Sequence, residues 1–436
     1  MKVYVPIVWC GFTIASVLAQ PAFAETNTFV ITPAYINALA DEARTNNSAL
    51  RSADSRVAAA RANQQTVRTW EDPMVRLGAM GAEREMRAND GDLLYGVEQS
   101  LPLFGKPKAA RAVAESETKV ENANAELQFQ LLRKDIAQNI FKTALANRTL
   151  EIGREDLTWL ELMLSAAEHR YALGQSAQID VLRLQNERSK RVEQLKTDSQ
   201  LLEHERVNLN RLLNRRLDSA WPDLRLPTVA QSIVFSERLA TLAIKFEPKL
   251  KMMRQQIDQA AASTEMTRRE RYPNFNLGAE ARNYTGNGEF RQGMVTLSFS
   301  LPWGNRNKYH AAIQRDEARK QAAEFDAADY ELGLRNEIHS LTVKIDSARR
   351  EALLYQNEII PRSRIALESA RAGWESNAGI FRDVLDARRM LLDAQLMNAR
   401  AVSEQYQMLS DLVLCCGLGD LEALQMFDAQ LGNPKK

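Results

Sequence analysis

The sequence predicts a mainly α chain with a small β part, built from one helix–β-hairpin–long-helical-hairpin unit used twice. Three observations carry this. The junction Ser100-Leu101-Pro102-Leu103-Phe104-Gly105 returns 200 positions later as Ser300-Leu301-Pro302-Trp303-Gly304. The same offset aligns Leu50 with Leu250, Ala60 with Ala260, Ala62 with Ala262, Pro73 with Pro273 and Leu77-Gly78 with Leu277-Gly278. Finally, Gly and Pro number only 19 and 13 in 436 residues and aromatics are 7%, which favours long helices over a thick core. With 57 basic and 56 acidic side chains, no net field points to nucleic acid.

The N-terminal residues 1–24 read as a secretory leader. Lys2 precedes an apolar run from Val3 to Leu18, and Ala22-Phe23-Ala24 supplies the small residues of a cleavage point. Cys10 lies within the run and not at the cleavage point, so no lipid is expected on the mature N-terminus. The first repeat spans 25–220. Thr32 caps a helix with Pro33 at its first position, running to about Trp70; its counterpart runs from about Ser236 to Arg271.

Each helix gives way at a proline to two strands. The first pair is about Met74–Arg87 and Leu93–Leu101, around Asn89-Asp90-Gly91-Asp92. The second is about Asn274–Tyr284 and Arg291–Leu301, around Thr285-Gly286-Asn287-Gly288. Val75, Leu77, Ala79, Tyr95 and Val97 share one parity, as do Phe275, Leu277, Ala279, Ala281, Val295, Leu297 and Phe299. The opposite parity is polar or charged. A soluble half-buried sheet fits this alternation, and so does a barrel with lipid outside and water inside. Trp70, Phe104, Tyr272 and Trp303 gather at the strand ends like an interfacial girdle, which favours the barrel. Four strands cannot close one, and open edges are not tolerated in lipid, so several chains must pool their strands.

From Pro107 to about Arg170 only Gly153 interrupts a helix of more than 60 residues, roughly 95 Å at 1.5 Å per residue. The chain turns at 171–178 and returns through Asp180, with Val192, Leu195, Leu202, Leu209 and Leu213 on one stripe. Residues 221–235, with two X-Pro steps, read as a linker packed across the helices. The second repeat, 236–416, goes out from about Lys308 to Trp374 and back from Ile380. Leu334, Ile338, Leu341, Ile345, Ala348 and Ala352 form a heptad seam, as do Ile380, Val384, Ala387, Leu391 and Ala394. Such narrow seams predict paired helical hairpins, with Pro361 kinking the descending helix. Residues 417–436 read as a helix stop and tail. Cys415-Cys416 read as a small apolar pair under Leu412 and Leu418, the alternative being a two-thiol metal site. No segment after the leader is apolar enough for a transmembrane helix.

The far turns are a second repeated motif, offset by 203: Tyr171-x-x-Gly174 before Asp180-Val181-Leu182, and Trp374-x-x-Asn377 before Asp383-Val384-Leu385. Gly174 and Asn377 are residue types that accept the left-handed conformation ending a helix. Asp180 and Asp383 fall in the first turn of the returning helices, where a carboxylate suits the dipole. Asp386 shares a face with Asp383. Capping accounts for Asp180 and Asp383, and pairing with Arg382 or Arg389 accounts for Asp386; the other reading is an inward carboxylate ring in an oligomer.

Leader, repeated units, Ser-Leu-Pro junctions and Asp-Val-Leu tips together resemble the TolC-type outer-membrane efflux factors, from about Thr32 to Gly417. The resemblance implies a homotrimer in the outer membrane, extending into the periplasm as an α-barrel tunnel beneath a shared 12-stranded β-barrel. It implies tips (Tyr171, Gly174, Gln175, Ser176, Asp180, Trp374, Asn377, Asp383) that dock a periplasmic adaptor, with an RND-type inner-membrane pump behind it. It also implies that Asp383 and Asp386 form carboxylate rings at the constriction. Trp374 and Asn377 stand where the family usually has Tyr and Gly, which bears on any tyrosine-mediated latch there. The junction looks most similar to the branch serving heavy-metal pumps, so the expected cargo is small solutes, metal cations among them.

Catalysis has no support: Gly105-Lys106 fails as a phosphate loop because Ser100 and Pro107 stand where Gly and Ser/Thr are needed. His169, His204, His310 and His339 have no ligand spacing, so neither metal site nor cofactor is expected. The competing functions are a non-conducting periplasmic coiled-coil spacer and a duct for secreted protein.

Overall fold

The computed structural model describes residues 28–67, 70–81, 91–286 and 288–419. The leader, the Asn89-Asp90 part of the first hairpin turn, the first strand beyond residue 81 and the tail after 419 lie outside the described residues. In chain order the elements are β1 (Thr28–Val30), α1 (Pro33–Asn46), α2 (Ser48–Thr66), β2 (Met74–Met80), β3 (Asp92–Leu101), α3 (Lys106–Ala172) and α4 (Gln178–Leu212). Then follow β4 (Asp223–Arg225), α5 (Glu237–Phe246), α6 (Pro248–Glu270), β5 (Phe275–Tyr284), β6 (Phe290–Phe299), α7 (Arg306–Leu354), α8 (Ile360–Glu375) and α9 (Phe381–Cys415).

The duplication is visible element by element, with two departures from the sequence reading. The helix expected from Pro33 to about Trp70 is two, broken at Asn47, whose side chain accepts from the N–H groups of Ala49 and Leu50 and restarts the helix. Its counterpart breaks at Glu247, 200 residues on, where the carboxylate accepts from the Leu250 N–H and Pro248 opens α6. Local capping outcompetes helix continuation at both places.

α3 is unbroken over 67 residues, about 100 Å at 1.5 Å per residue. It packs on α2, α4, α6 and α9, and α9 packs on α7 and α8. The α7 seam is buried from Leu334 to Ala352 as its period predicts. On α9, Val384, Ala387, Leu391 and Ala394 are buried, but Ile380 is 63% exposed. Ile380 lies just before the helix in an extended conformation, and Phe381 takes the inward place. Before Pro361 the descending helix loosens into a π turn over Tyr355–Ile359, because proline offers no N–H to the preceding turn. The Asn398 side chain donates to the Ala352 carbonyl there, at 2.8 Å.

Two of the core clusters lie midway along the helices, and a third, with Leu184, Trp374, Phe381 and Val384, lies towards the tips. One cluster joins Ile36, Leu39, Ile140, Phe141, Leu209 and Trp221; another joins Leu239, Ile338, Ile345, Leu412 and Cys416. Tyr406 of α9 borders both, stacking on Phe141 at 4.9 Å. Residues 228–230 pack on α9: Gln405 bonds both the N–H and the carbonyl of Ala230 (3.0 and 3.1 Å), and the Tyr406 hydroxyl donates to the Thr228 carbonyl. Within it, β4 pairs in parallel with β1, a contact between positions 28 and 223 that no local pattern announces. Cys416 is buried beside Leu412 with Cys415 and Leu418 at the edge of the cluster, and burial pushes the Cys416 thiol up to about 12. That environment suits the apolar-pair reading; among the described residues no group of three or more metal-ligating side chains gathers.

Candidate duct, gate and docking tips

At one end of the helices, β2-β3-β5-β6 form an antiparallel sheet in that order. The register puts Val75 opposite Val97, Leu77 opposite Tyr95, Val97 opposite Ala279, and Leu277 opposite Leu297. One face is therefore continuous apolar surface, and in the central strands β3 and β5 it is the more exposed one: Tyr95 is 46% exposed, Val97 50% and Leu277 45%. The polar neighbours in these strands are the more covered: Glu98 takes Arg76 of the edge strand β2, and Glu280 pairs with Arg282 at 3.2 Å. A soluble sheet has the opposite arrangement. Gly96 lies on the polar face, where a Cβ would come 2.8 Å from the Ala279 carbonyl oxygen, so the strands approach closely there.

The predicted girdle residues sit at the helical end of this sheet. Trp70 and Trp303 are each 60% exposed, and Phe104 stacks on Tyr272 at 5.3 Å. Phe104 and Gly105 both take left-handed φ values, turning strand into helix. Lys106 then reaches across to the second repeat, donating to the Tyr272 carbonyl (2.7 Å) and the Asn274 side chain (2.5 Å). The glycine–lysine pair is a structural tie.

At the far end both chain reversals form as predicted. Gly174 (φ 71°) and Asn377 (φ 58°) are left-handed. The Gln175 N–H donates to the Arg170 carbonyl at 2.8 Å, and the Ala378 N–H to the Gly373 carbonyl at 2.9 Å. Tyr171, Gly174 and Gln175 are exposed and Ser176 half-buried. Trp374 is not on the surface: at 5% exposure it packs against Phe381, ring centroids 5.1 Å apart. It props the tip from within and offers a partner no free face. Asp383 and Asp386 are both exposed on the first two turns of α9. Asp386 pairs with Arg382 at 3.5 Å and Arg389 at 3.4 Å, whereas Asp383 has no ion pair among the described residues. Asp180 pairs with Arg183 at 3.5 Å.

Two sets of contacts tie the hairpins together. The Arg170 guanidinium lies 4.6 Å from the Trp374 ring centroid, donates to the Glu375 carbonyl at 3.0 Å and also donates to the Asn377 side-chain oxygen. Farther from the tips, buried Asp156 of α3 takes the Nε of Arg191 (α4) and of Arg388 (α9), each at 2.8 Å. Nearby, Arg389 of α9 meets Glu187 of α4 at 2.7 Å.

Compared with known proteins, the chain matches the outer membrane efflux protein family twice, over residues 39–215 and 239–418. The chain belongs to the outer membrane efflux protein family. The two matched segments begin 200 residues apart and end 203 apart, the offsets of the junctions and of the tips. The pyoverdine export outer membrane protein OpmQ of Pseudomonas putida is 25% identical over 353 residues, 76% of this chain and 71% of that protein. The cobalt-zinc-cadmium resistance protein CzcC of Cupriavidus metallidurans is 22% identical over 330 residues, 71% of this chain and 74% of that one. The fold is shared with the solved outer-membrane channel OprN (TM-score 0.77, 17% identity, 88% of this chain and 90% of that one). It is also shared with CusC (TM-score 0.77, 18% identity, 89% and 93%) and the Campylobacter jejuni CmeC channel (TM-score 0.74, 14% identity, 98% of each).

This efflux protein is thus an outer-membrane protein whose helices extend into the periplasm, and the family's work is efflux, not catalysis. That class explains why the sheet is apolar outward. Sequence reasoning found the turns and carboxylates of the tips but missed Arg170, Asp156, Arg191 and Arg388. Arg170 precedes the Tyr171 turn, yet its partners lie 205 and 207 residues away, with nothing local to name them.

Proposed function

We propose that three copies assemble into a passive exit duct, each giving β2, β3, β5 and β6 to a 12-stranded barrel and its helices to a periplasmic tunnel. The reversed sheet is the observation that supports this most. Its apolar face is uncovered and its edges β2 and β6 are open. Hydrocarbon tolerates the first and forbids the second, so the strands must close with those of other copies, and at least about eight are needed. Trp70, Phe104, Tyr272 and Trp303 then mark the periplasmic membrane interface. The exposed tip residues, from Tyr171 to Asp180 and around Asn377, dock a periplasmic adaptor, and an RND-type pump of the inner membrane loads the duct. The cargo is small solutes, metal cations among them; the names of OpmQ and CzcC speak for both kinds.

Asp383 and Asp386 form the gate. Three protomers bring six carboxylates to the periplasmic end, narrowing it and favouring cations as charged rings do. Asp386 already shares its charge with Arg382 and Arg389, so Asp383 contributes more of the field. In planar bilayers, Asp383→Asn with Asp386→Asn raises single-channel conductance and weakens block by multivalent cations, and Asp383→Asn alone relieves more block than Asp386→Asn. Unchanged conductance and block in the double variant would sink the gate. A coiled-coil spacer is separated by fractionation: a duct stays in the outer membrane after a high-salt wash, and a spacer is released.

A further inference from the structure

We propose that the cleft between α3, α4 and α9, some turns from the tips, is an oxyanion-binding site for a phosphate or a small polycarboxylate. Four cations (Lys190, Arg191, Arg388, Arg389) and two carboxylates (Asp156, Glu187) line a cavity of about 230 Å³, with Trp159 and three leucines as its apolar walls. The charges do not cancel. Asp156 is shared by Arg191 and Arg388, and Glu187 by Lys190 and Arg389; Asp386, just outside the lining, also draws on Arg389 at 3.4 Å, and the cleft still keeps more positive than negative charge.

The hydrogen-bond geometry is equally lopsided. Arg191 and Arg388 each bind Asp156 through Nε alone, leaving the terminal nitrogens of both guanidiniums without a protein partner. Both side chains are mostly covered, at 17% and 14% exposure, yet their terminal nitrogens are not sealed from solvent, so an oxyanion can reach them by displacing water. Arg388 is further held 4.9 Å from the Trp159 ring centroid. Two positioned forks with spare parallel donors, facing one cavity, match the planar or tetrahedral oxygens of a carboxylate or phosphate. Because Arg191 belongs to α4 and Arg388 to α9, a bound oxyanion ties the two helical hairpins together.

The test is calorimetric titration of the full-length protein in detergent with inorganic phosphate and, separately, citrate, at fixed ionic strength set by chloride. Saturable binding of either is expected, and the tighter of the two tells whether the natural ligand is inorganic or an organic acid. Arg388→Lys keeps a cation on Asp156 but removes the fork, and lowers affinity at least tenfold. Asp156→Asn releases both guanidiniums and raises affinity, an outcome that a purely structural ion-pair hub does not produce. Absence of saturable binding to either anion, or binding unchanged in Arg388→Lys, overturns the proposal. Should Asp156→Asn fail to fold, the Arg388→Lys comparison still decides.

Discussion

Replacing Arg170 by methionine keeps most of the side-chain stem and removes the link between the two hairpin tips. Three interactions go with it: the donation to the Glu375 carbonyl, the donation to the Asn377 side chain, and the position over the Trp374 ring. A charged hydrogen bond contributes about 1.5–3 kcal/mol when well buried. Arg170 is half-buried, so water recovers much of that, and a half-exposed cation–π contact adds about 0.5–1 kcal/mol. The net loss is about 2 kcal/mol, roughly thirtyfold in the local opening equilibrium. The readout is hydrogen exchange at Ala378 and Gly379, whose N–H groups both donate to the Gly373 carbonyl at 2.9 Å. Exchange there accelerates about thirtyfold in Arg170→Met. Amides of the distant core around Phe141 do not change. Arg170→Lys, which keeps the charge but not the fork, falls between. Unaltered exchange at Ala378 and Gly379 would refute the clamp, whatever happened to the overall melting temperature.

Three further outcomes follow from other parts of the molecule. Leu77→Arg puts a charge on the outward sheet face, at a cost of about 2–4 kcal/mol per chain near the bilayer midplane; the outer-membrane fraction should lose the assembled protein, and normal assembly would mean that this face does not meet lipid. Asp316 is buried between α6 and α7, where Arg315 and the Thr267 hydroxyl hold its carboxyl at about 2 against an ordinary 3.8. A depressed carboxylate stabilises above its unfolded value and loses that contribution as the pH falls towards the folded one. Between about pH 4 and pH 2 that contribution, reduced by solvent screening of the exposed Arg315 and Arg319, should therefore disappear, and acid unfolding of Asp316→Asn should lack that component. Gly417 has φ 60°, and a Cβ there would meet the Phe246 carbonyl oxygen at 2.2 Å, so Gly417→Ala should separate the end of α9 from the α5–α6 break and cost about 2 kcal/mol in thermal unfolding.

The tips show how far local sequence carries. Gly174 and Asn377 announced their turns because left-handed backbone is open to few residue types, and the structure has both at positive φ. The Leu334–Ala352 seam was legible for a similar reason: period alone decides which helical face is buried. Ile380 shows the limit, since a seam counted backwards past a helix start has no helix to be on. Asn47 and Glu247 show another, because a cap competes with helix continuation by a margin too small to read from apolar spacing.

The sequence by itself determined the repeat, the unbroken length of α3, the alternation of the strands and the two carboxylates on the first turns of α9. These are properties of residues close in the chain, where backbone geometry fixes which side chains share a face. Tertiary structure decided which face of the sheet is outward, that Trp374 is buried, and that Arg170, Arg191 and Arg388 join the hairpins. Those depend on side chains that meet across up to 232 residues of sequence. Such charge pairs form wherever folding brings them together, and neither partner carries a local mark of the other.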